Sequence, residues 1–423
     1  SYEFSNGSRI NVSTSYRGGT LQRLHVCLAG DTEILTRNGW AKEIQDVEPG
    51  DQVLVDNGSY REVKALVQNR FEDVGQRMLS VSTFGYYKPL RITDQHKVLA
   101  REHRTGKPVW KQAGELQPGD YVAFPLREIS KNLRTGTVPF GSERVEPSFD
   151  LGWVVGFYLA EGTTRERTVG GKTYGANETT FSVHRKELDE VFERVERLRD
   201  ALGTPRSGVP LIRRYDFSDS LTSTATVNSK NLAQFLHATF GSGDDKHIPD
   251  KVWKWGSPFC RGLIKGYFDG DGSYRKTSCI QVTSTRRQII DQVRLLLISL
   301  RYGVPTIYHT PAGDHYGRNC KAAWVLKLFG PGNWKYRQEF GLDLPAVNTK
   351  AGQWRIDNGR NPEGRKHWRR GRNHYWMRVT QVEPTEPPDF VYDIALDKAP
   401  HNYTTVNGVV HNSEFGAICR QYP

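Results

Sequence analysis

The sequence predicts a multidomain fold in which an all-β domain is interrupted by an inserted α+β domain with two pseudo-symmetric halves. Three observations carry this. Short β-type runs separated by Gly, Pro, Asn and Asp turns fill the stretch after Cys27 and return near the end, in "FVYDIALDKAPHNYTTVNGVVHN". Within the first stretch, "WAKEIQDVEPGDQVLV" from Trp40 comes back as "WKQAGELQPGDYVAF" from Trp110, which is the mark of a duplicated β unit. Between the two β stretches, two helical segments share a stripe of small residues: Gly152, Gly156 and Ala160 in one, Gly262, Gly266 and Gly270 in the other.

Composition narrows the class. The 423 residues allow two to four domains, and 37% hydrophobic with 25% charged residues fits a soluble globular chain. No apolar run approaches the roughly 20 residues of a membrane span, so no membrane partner is expected. Ser1 opens without a basic-then-apolar leader, which points to a cytoplasmic protein. Five cysteines form no CxxC pair and leave one odd, against a disulfide framework or a zinc site and for a reducing compartment. Net charge is +12, and between Lys350 and Arg378 nine Lys/Arg stand against Asp357 and Glu363. Trp354, Trp368, His374, Tyr375 and Trp376 are interleaved with them, a mixture suited to a DNA backbone.

Taken in order, residues 1–26 do not begin a compact unit. From Cys27 to about Leu126 the runs "TEIL", "DQVLV", "REVKALVQ", "RMLSVST" and "HKVLA" read as strands. "LREISKNLRTGTVPFGSERVEPSFD" reads as a linker, after which amphipathic helices alternate with strands up to Trp376. The terminal β stretch reads as two strands around a turn. The expected division is therefore 1–26, 27–126, 127–376, 377–412 and 413–423, with the third part carrying the basic DNA-binding segment.

The chemistry lies at the two ends of the split β domain. A thiol can attack its own preceding peptide bond, and an Asn carboxamide can attack its own following one. Cys27 opens "CLAGDTEIL" and Asn412 is the penultimate residue of "NGVVHNS", so a fold that joins them could cut at both places. With "LRITDQHKVLA" and "VYDI" between them in the right order, the chain resembles an intein of the hedgehog/intein (HINT) fold, a pseudo-twofold β horseshoe. That resemblance implies self-splicing without any cofactor, on the host segments held in cis. Cys27 would form a thioester with Val26, His96 would protonate the departing amine, and Thr93 would polarise the scissile carbonyl. Asp393 would tune Cys27 and deprotonate Ser413 for the acyl transfer. Asn412 would then cyclise, with His411 polarising the bond and His401 assisting. The flanks, read as "RGGTLQRLHVSEFGAICRQYP", resemble the ATPase core of a phage terminase large subunit, with Glu414 as a metal- or water-positioning acid of the host.

Each small-residue helix ends in an acid followed by Gly: Glu161–Gly162 and Asp271–Gly272. Packing the two small faces together brings both carboxylates to the negative ends of two helix dipoles, which is unfavourable unless a cation sits there. "VVGFYLAEG" and "IKGYFDGDG" resemble the paired motifs of LAGLIDADG homing endonucleases, over roughly Phe149 to Leu344. The resemblance implies Glu161 and Asp271 as ligands of Mg2+ or another divalent cation, and Lys246 in "KHIPDKVW" as an active-site lysine. It also implies strands that saddle double-stranded DNA, read by a monomer. Two rival readings are a stand-alone endonuclease and a non-splicing DNA-binding protein. The first does not account for "VVHNS", and replacing Cys27 or Asn412 with Ala discriminates splicing from both. Hedgehog-like processing by an outside nucleophile is disfavoured by Asn412–Ser413.

Overall fold

The computed structural model describes residues 2–3, 9–10, 27–37, 41–102, 106–130, 136–164, 166–169, 172–185, 187–203, 209–216, 221–274, 279–315, 317–344 and 367–412. Val26, Ser413, Glu414, Trp40 and Trp354 therefore lie outside the described residues.

The two β stretches form one sheet. Strand Leu28–Ala29 pairs with Phe390–Leu396, which in turn pairs with Tyr60–Arg70. Strand Lys97–Arg101 pairs with Gly408–His411, and Tyr121–Pro125 pairs with His374–Pro384. Strands from both sides of the insertion are thus neighbours, and neither stretch could bury its apolar rows alone.

The sequence repeat is a structural repeat down to its ion pairs. Ala41–Glu43, a 3-10 turn at Ile44–Asp46 and Gln52–Leu54 correspond to Val109–Gln112, a 3-10 turn at Ala113–Glu115 and Tyr121–Pro125. Lys42 Nζ donates to Asp51 Oδ2 at 2.8 Å, as Lys111 Nζ does to Asp120 Oδ2 at 3.0 Å. The same aspartates accept from the Glu48 and Gln117 amides, at 2.9 and 3.0 Å. Both turns need a left-handed residue and have one, Gly50 at φ 96° and Gly119 at φ 104°. Each turn then bonds a long strand: Gly50 N to Val63 O, and Gly119 N to Val379 O. Tyr60–Arg70 and His374–Pro384, eleven residues each, are therefore counterparts, and the insertion separates the second from its turn.

Three expectations are corrected here. The terminal β stretch holds three strands, 390–396, 402–405 and 408–411, because Thr405 Oγ1 accepts from the Asn407 and Gly408 amides and closes a tight turn between the last two. The segment read as a linker contains a hairpin, Val138–Phe140 with Glu143–Val145, that buries Phe140 against Phe235. Trp368, Tyr375 and Trp376 are buried rather than offered to DNA: Trp368 and Tyr375 join the main core, and Trp376, on the other face of its strand, packs with Leu99, Tyr121 and Val409.

The inserted part has seven helices among the described residues: α1 (Phe149–Glu161), α2 (Leu188–Glu196), α3 (Arg199–Leu202), α4 (Lys230–Phe240), α5 (Ser257–Asp271), α6 (Arg287–Ser299) and α7 (Gly330–Glu339). Its two halves share one topology. The first sheet runs 162–164, 179–184, 222–227, 212–216 and the second 272–274, 279–284, 323–329, 306–310. Helices α1 and α5 cross at their small faces. A Cβ on Gly152 or Gly156 would sit 2.1 or 2.0 Å from the Phe259 or Leu263 carbonyl oxygen. On Gly262 or Gly266 it would sit 2.0 Å from that of Phe149 or Trp153. Nothing larger than glycine allows this approach, which explains residues that propensity disfavours in a helix. Ser148 caps α1 by accepting from the Leu151 amide.

The insertion is packed against the sheet through buried charge. Glu33, 3% exposed, accepts from the Tyr86 hydroxyl at 2.9 Å and pairs with Arg287 of α6 at 2.5 Å. Arg294, fully inside, lies over the Tyr86 and Phe124 rings. Arg127 pairs with Asp250 and stacks on Trp253.

Candidate functional site

Strand pairing carries the chain ends of the β domain to one imidazole. Cys27 precedes strand 28–29 and is held from both sides by Thr93: its amide donates to Thr93 Oγ1 at 3.0 Å, and its carbonyl accepts from the Thr93 amide at 3.0 Å. Thr93 therefore touches the nitrogen of the 26–27 bond; Val26, whose carbonyl the resemblance has it polarise, lies outside the described residues. Thr93 also opens the turn that presents His96, whose amide donates to Thr93 O. His96 is fully buried, and its Nε2 lies 2.8 Å from the His411 carbonyl oxygen. A carbonyl can only accept, so Nε2 carries the hydrogen and Nδ1 is left with a lone pair. Nδ1 has no hydrogen-bond partner among the described residues. Burial pushes His96 down to about 4, partly opposed by the backbones of His411 and Cys27. It is a neutral base at neutral pH.

Asn412 is buried, its amide donating to the His401 carbonyl at 3.2 Å. Its Oδ1 finds no partner among the described residues. His411 Nδ1 lies 2.6 Å from the Asn412 carbonyl oxygen and must be the donor. That carbonyl belongs to the 412–413 bond, so the imidazole polarises the bond that cyclisation breaks. Trp110 packs edge-on against the His411 ring, centroids 4.9 Å apart. His401 contributes its backbone here, while its side chain is exposed.

Cys27 Sγ sits among Val74, Met78 and Val391. Burial first, and then the charge of Asp393, push the thiol up to about 12. Asp393, 1% exposed, accepts from the Tyr403 hydroxyl at 2.9 Å and from the Ile394 amide at 2.8 Å. An Asp read from a strand pattern could have faced solvent; this one faces the thiol. Two further residues contact this machinery. Tyr403 holds Asp393, and Asn69 donates from Nδ2 to Cys27 Sγ at 3.7 Å. Tyr403 lay in a strand pattern with no polar mark, and Asn69 lay mid-strand in "KALVQNR", so only pairing across the sheet reveals them.

The second cluster is at the ends of α1 and α5. Gly162 and Gly272 terminate the helices with extended backbone, φ −87° and −86°. Burial pushes Glu161 up to about 7, with the Asp271 charge adding to it, and pushes Asp271 up to about 6. The charges of Lys246 and Arg286 act the other way on Asp271. Lys246 is 4% exposed, and its ammonium donates to the Tyr158, Leu159 and Gly162 carbonyls. It caps the negative end of α1, and burial brings it down to about 8. No group of three or more His, Cys, Asp or Glu that could hold a metal occurs among the described residues. Two carboxylates close enough for the charge of Asp271 to act on Glu161 fit a hard divalent ion that takes its other ligands from water and phosphate.

A family model for the intein splicing domain matches residues 33–412. The chain is 28% identical over 184 residues to the DNA-directed RNA polymerase subunit Rpo1C of Methanocaldococcus jannaschii, covering 42% of this chain and 19% of that protein. It is 23% identical over 275 residues to the replication factor C small subunit of Pyrococcus horikoshii, covering 62% and 27%. The chain thus spans less than a third of the length of these relatives. Among solved structures it is similar to I-DmoI in complex with DNA and Ca, at 13% identity and a TM-score of 0.34, over 46% of this chain and 90% of that one. It is also similar to the LAGLIDADG homing endonuclease I-GzeII, at 11% identity and a TM-score of 0.25, over 45% and 84%. Likenesses this slight carry no argument; the splicing-domain match spans the β domain and its insertion together. With that match over residues 33–412, and with Cys27 just before it and Asn412 at its end brought to a shared histidine, the chain belongs to the intein splicing-domain family.

Proposed function

We propose that the chain excises residues 27–412 and joins Val26 to Ser413. The observation that carries this is His96, whose ring stands between the Cys27 backbone and the His411 carbonyl. In the first step the Cys27 thiol proton passes to His96 Nδ1. The sulfur then bonds to the Val26 carbonyl carbon, the 26–27 C–N bond breaks, and the Cys27 nitrogen takes the proton back from His96. The net change moves one proton from sulfur to nitrogen. Ser413 then attacks the thioester, with Asp393 as the base. Cyclisation of Asn412, assisted by His411 on its carbonyl, releases the joined segments, and the ester rearranges to an amide. The proposed division is a HINT-type splicing domain from 27–126 and 377–412, with 127–376 inserted and strand His374–Pro384 straddling the second boundary. Cys27→Ala should abolish joining and leave only cleavage at 412–413; Asn412→Ala should leave only cleavage at 26–27. Unchanged products in both variants would end this reading.

For the insertion we propose a site-specific DNA endonuclease of the LAGLIDADG type, acting as a monomer on double-stranded DNA. The glycine-tight crossing of α1 and α5, with an acid at the end of each, supports it. Glu161 and Asp271 would hold the divalent ion, Mg2+ by this reading, which would supply an activated water and charge neutralisation at the phosphate. Lys246 and Arg286 bring positive charge to the same place. Glu161→Gln with Asp271→Asn should abolish cutting of a target plasmid while leaving splicing intact. The free thiol at Cys27 suits a reducing, cytoplasmic setting.

A further inference from the structure

We infer that Asn69 is a catalytic residue of the first splicing step, holding Cys27 Sγ and stabilising the thiolate that attacks the 26–27 bond. The inference rests on the splicing reading above and assigns a role to a residue outside all the motifs that suggested it.

The surroundings of the sulfur oppose its reactive form. Val74, Met78 and Val391 give it an apolar wall, and Phe71 packs against the same cluster. Asp393 adds a negative charge, and Tyr403, bonded to Asp393, fills the space behind it. A thiolate formed there would face an apolar wall and a carboxylate, with the His96 imidazolium as its counter-charge. Among the described residues, the side-chain donor that reaches the sulfur is the Asn69 carboxamide, at 3.7 Å, and it acts on the thiol in the direction opposite to burial and Asp393. A neutral donor is the kind of group that can do this without trapping the anion. A lysine in its place would stabilise the thiolate so strongly that the nucleophile would lose basicity and attack slowly.

Sheet register explains why this residue reaches the site. Asn69 pairs with Val391, and Val391 pairs on its other side with Ala29, two residues beyond Cys27. The row Asn69–Val391–Ala29 therefore runs across the strand that carries Asp393. Gln68 and Arg70, the neighbours of Asn69, are exposed, while Asn69 is half-buried. Strand alternation alone thus turns the carboxamide inward. The near-isosteric leucine would be the conventional residue at such a position.

The step balances with Asn69 as a spectator of the proton. The S–H proton goes to His96 Nδ1, the C–S bond forms as the C–N bond breaks, and the proton ends on the Cys27 nitrogen. Asn69 keeps both amide hydrogens throughout and donates most strongly when the sulfur is most negative.

The test separates the two ends of the reaction in the full chain. In an Asn412→Ala background, hydroxylamine traps the thioester and releases residues 1–26. Replacing Asn69 by Leu should slow that release about 10- to 100-fold, the range for a lost bond to a charged group. Asn69→Asp should slow it further, because a second carboxylate then faces the sulfur. Asn69→Gln, which keeps the donor, should recover part of the rate. In a Cys27→Ala background, cleavage at 412–413 should stay within about twofold for all three, since the bond assigned to Asn69 is to the Cys27 sulfur. Release by the Leu variant within twofold of its parent would overturn the inference. So would parallel loss of both cleavages, which would mark Asn69 as a structural residue. If the Asn412→Ala parent itself releases nothing, the splicing reading falls and takes this inference with it.

Discussion

The proton route through His96 predicts an unusual pH profile. The thiol is pushed up to about 12 and His96 down to about 4. Were free thiolate the nucleophile, its fraction at pH 7 would be roughly 10⁻⁵ and the rate would climb about tenfold per pH unit through pH 9. Transfer within the pocket behaves otherwise. His96 is neutral at every pH above about 5, so the proton moves between fixed partners and the rate is independent of bulk pH. The cost of that transfer is at most the gap of about 8 units, about 11 kcal/mol, since thiolate and imidazolium attract, which puts the ceiling on the step at or above roughly 10⁵ per second. The slower attack on an amide carbonyl fits beneath that ceiling. Hydroxylamine-trapped release of residues 1–26, in the Asn412→Ala background, should be flat between about pH 5.5 and 9 and fall below about pH 4.5 as His96 protonates. His96→Ala should be slower throughout and acquire the tenfold-per-unit slope. A slope of one in the parent would refute the shuttle.

Two other perturbations test the rest of the structure. Gly156→Ala should lower Tm, because a Cβ 2.0 Å from the Leu263 oxygen forces α1 and α5 apart at about 1–3 kcal/mol, more than the roughly 1 kcal/mol that alanine gains in a helix; an unchanged or raised Tm would contradict the crossing. At the acid pair, both folded pKa values lie above their unfolded values, so the folded state binds more protons and the pair costs stability as pH rises from about 4 to about 7. Thermal unfolding with and without Mg2+ should therefore show stabilisation at pH 8 that fades by pH 5 and is absent from Glu161→Gln with Asp271→Asn. An Mg2+ effect of equal size at both pH values would count against binding there.

Much of this was legible in the sequence, and what was legible has a common physical origin. The small-residue faces of α1 and α5 could be read because glycine in a helix interior costs stability and needs a reason, and close backbone approach supplies one. The repeated Pro-Gly-Asp turn could be read because a left-handed glycine and a capping aspartate fix local geometry on their own; the paired Lys42–Asp51 and Lys111–Asp120 bonds follow from it. Cys27, His96 and Asn412 stood out as chemically able groups in a suggestive order. What stayed hidden depends on pairing between distant strands. Tyr403 meets Asp393 and Asn69 meets Cys27 only across the sheet, and no local pattern encodes the partner. The same holds for Trp368, Tyr375 and Trp376, where basic neighbours suggested DNA while packing on both faces of strand 374–384 buries the rings. The Glu33–Arg287 pair likewise joins two domains whose contact no single segment specifies.

The most direct test of the whole account is intact mass spectrometry of the purified, unsubstituted chain, sampled as it folds and ages. The account predicts that the 423-residue mass gives way to two products, an excised 27–412 ending in a succinimide or its hydrolysis product, and segments 1–26 and 413–423 joined through a peptide bond. Cut but unjoined ends, or a parent mass that persists while the fold is native, would contradict it.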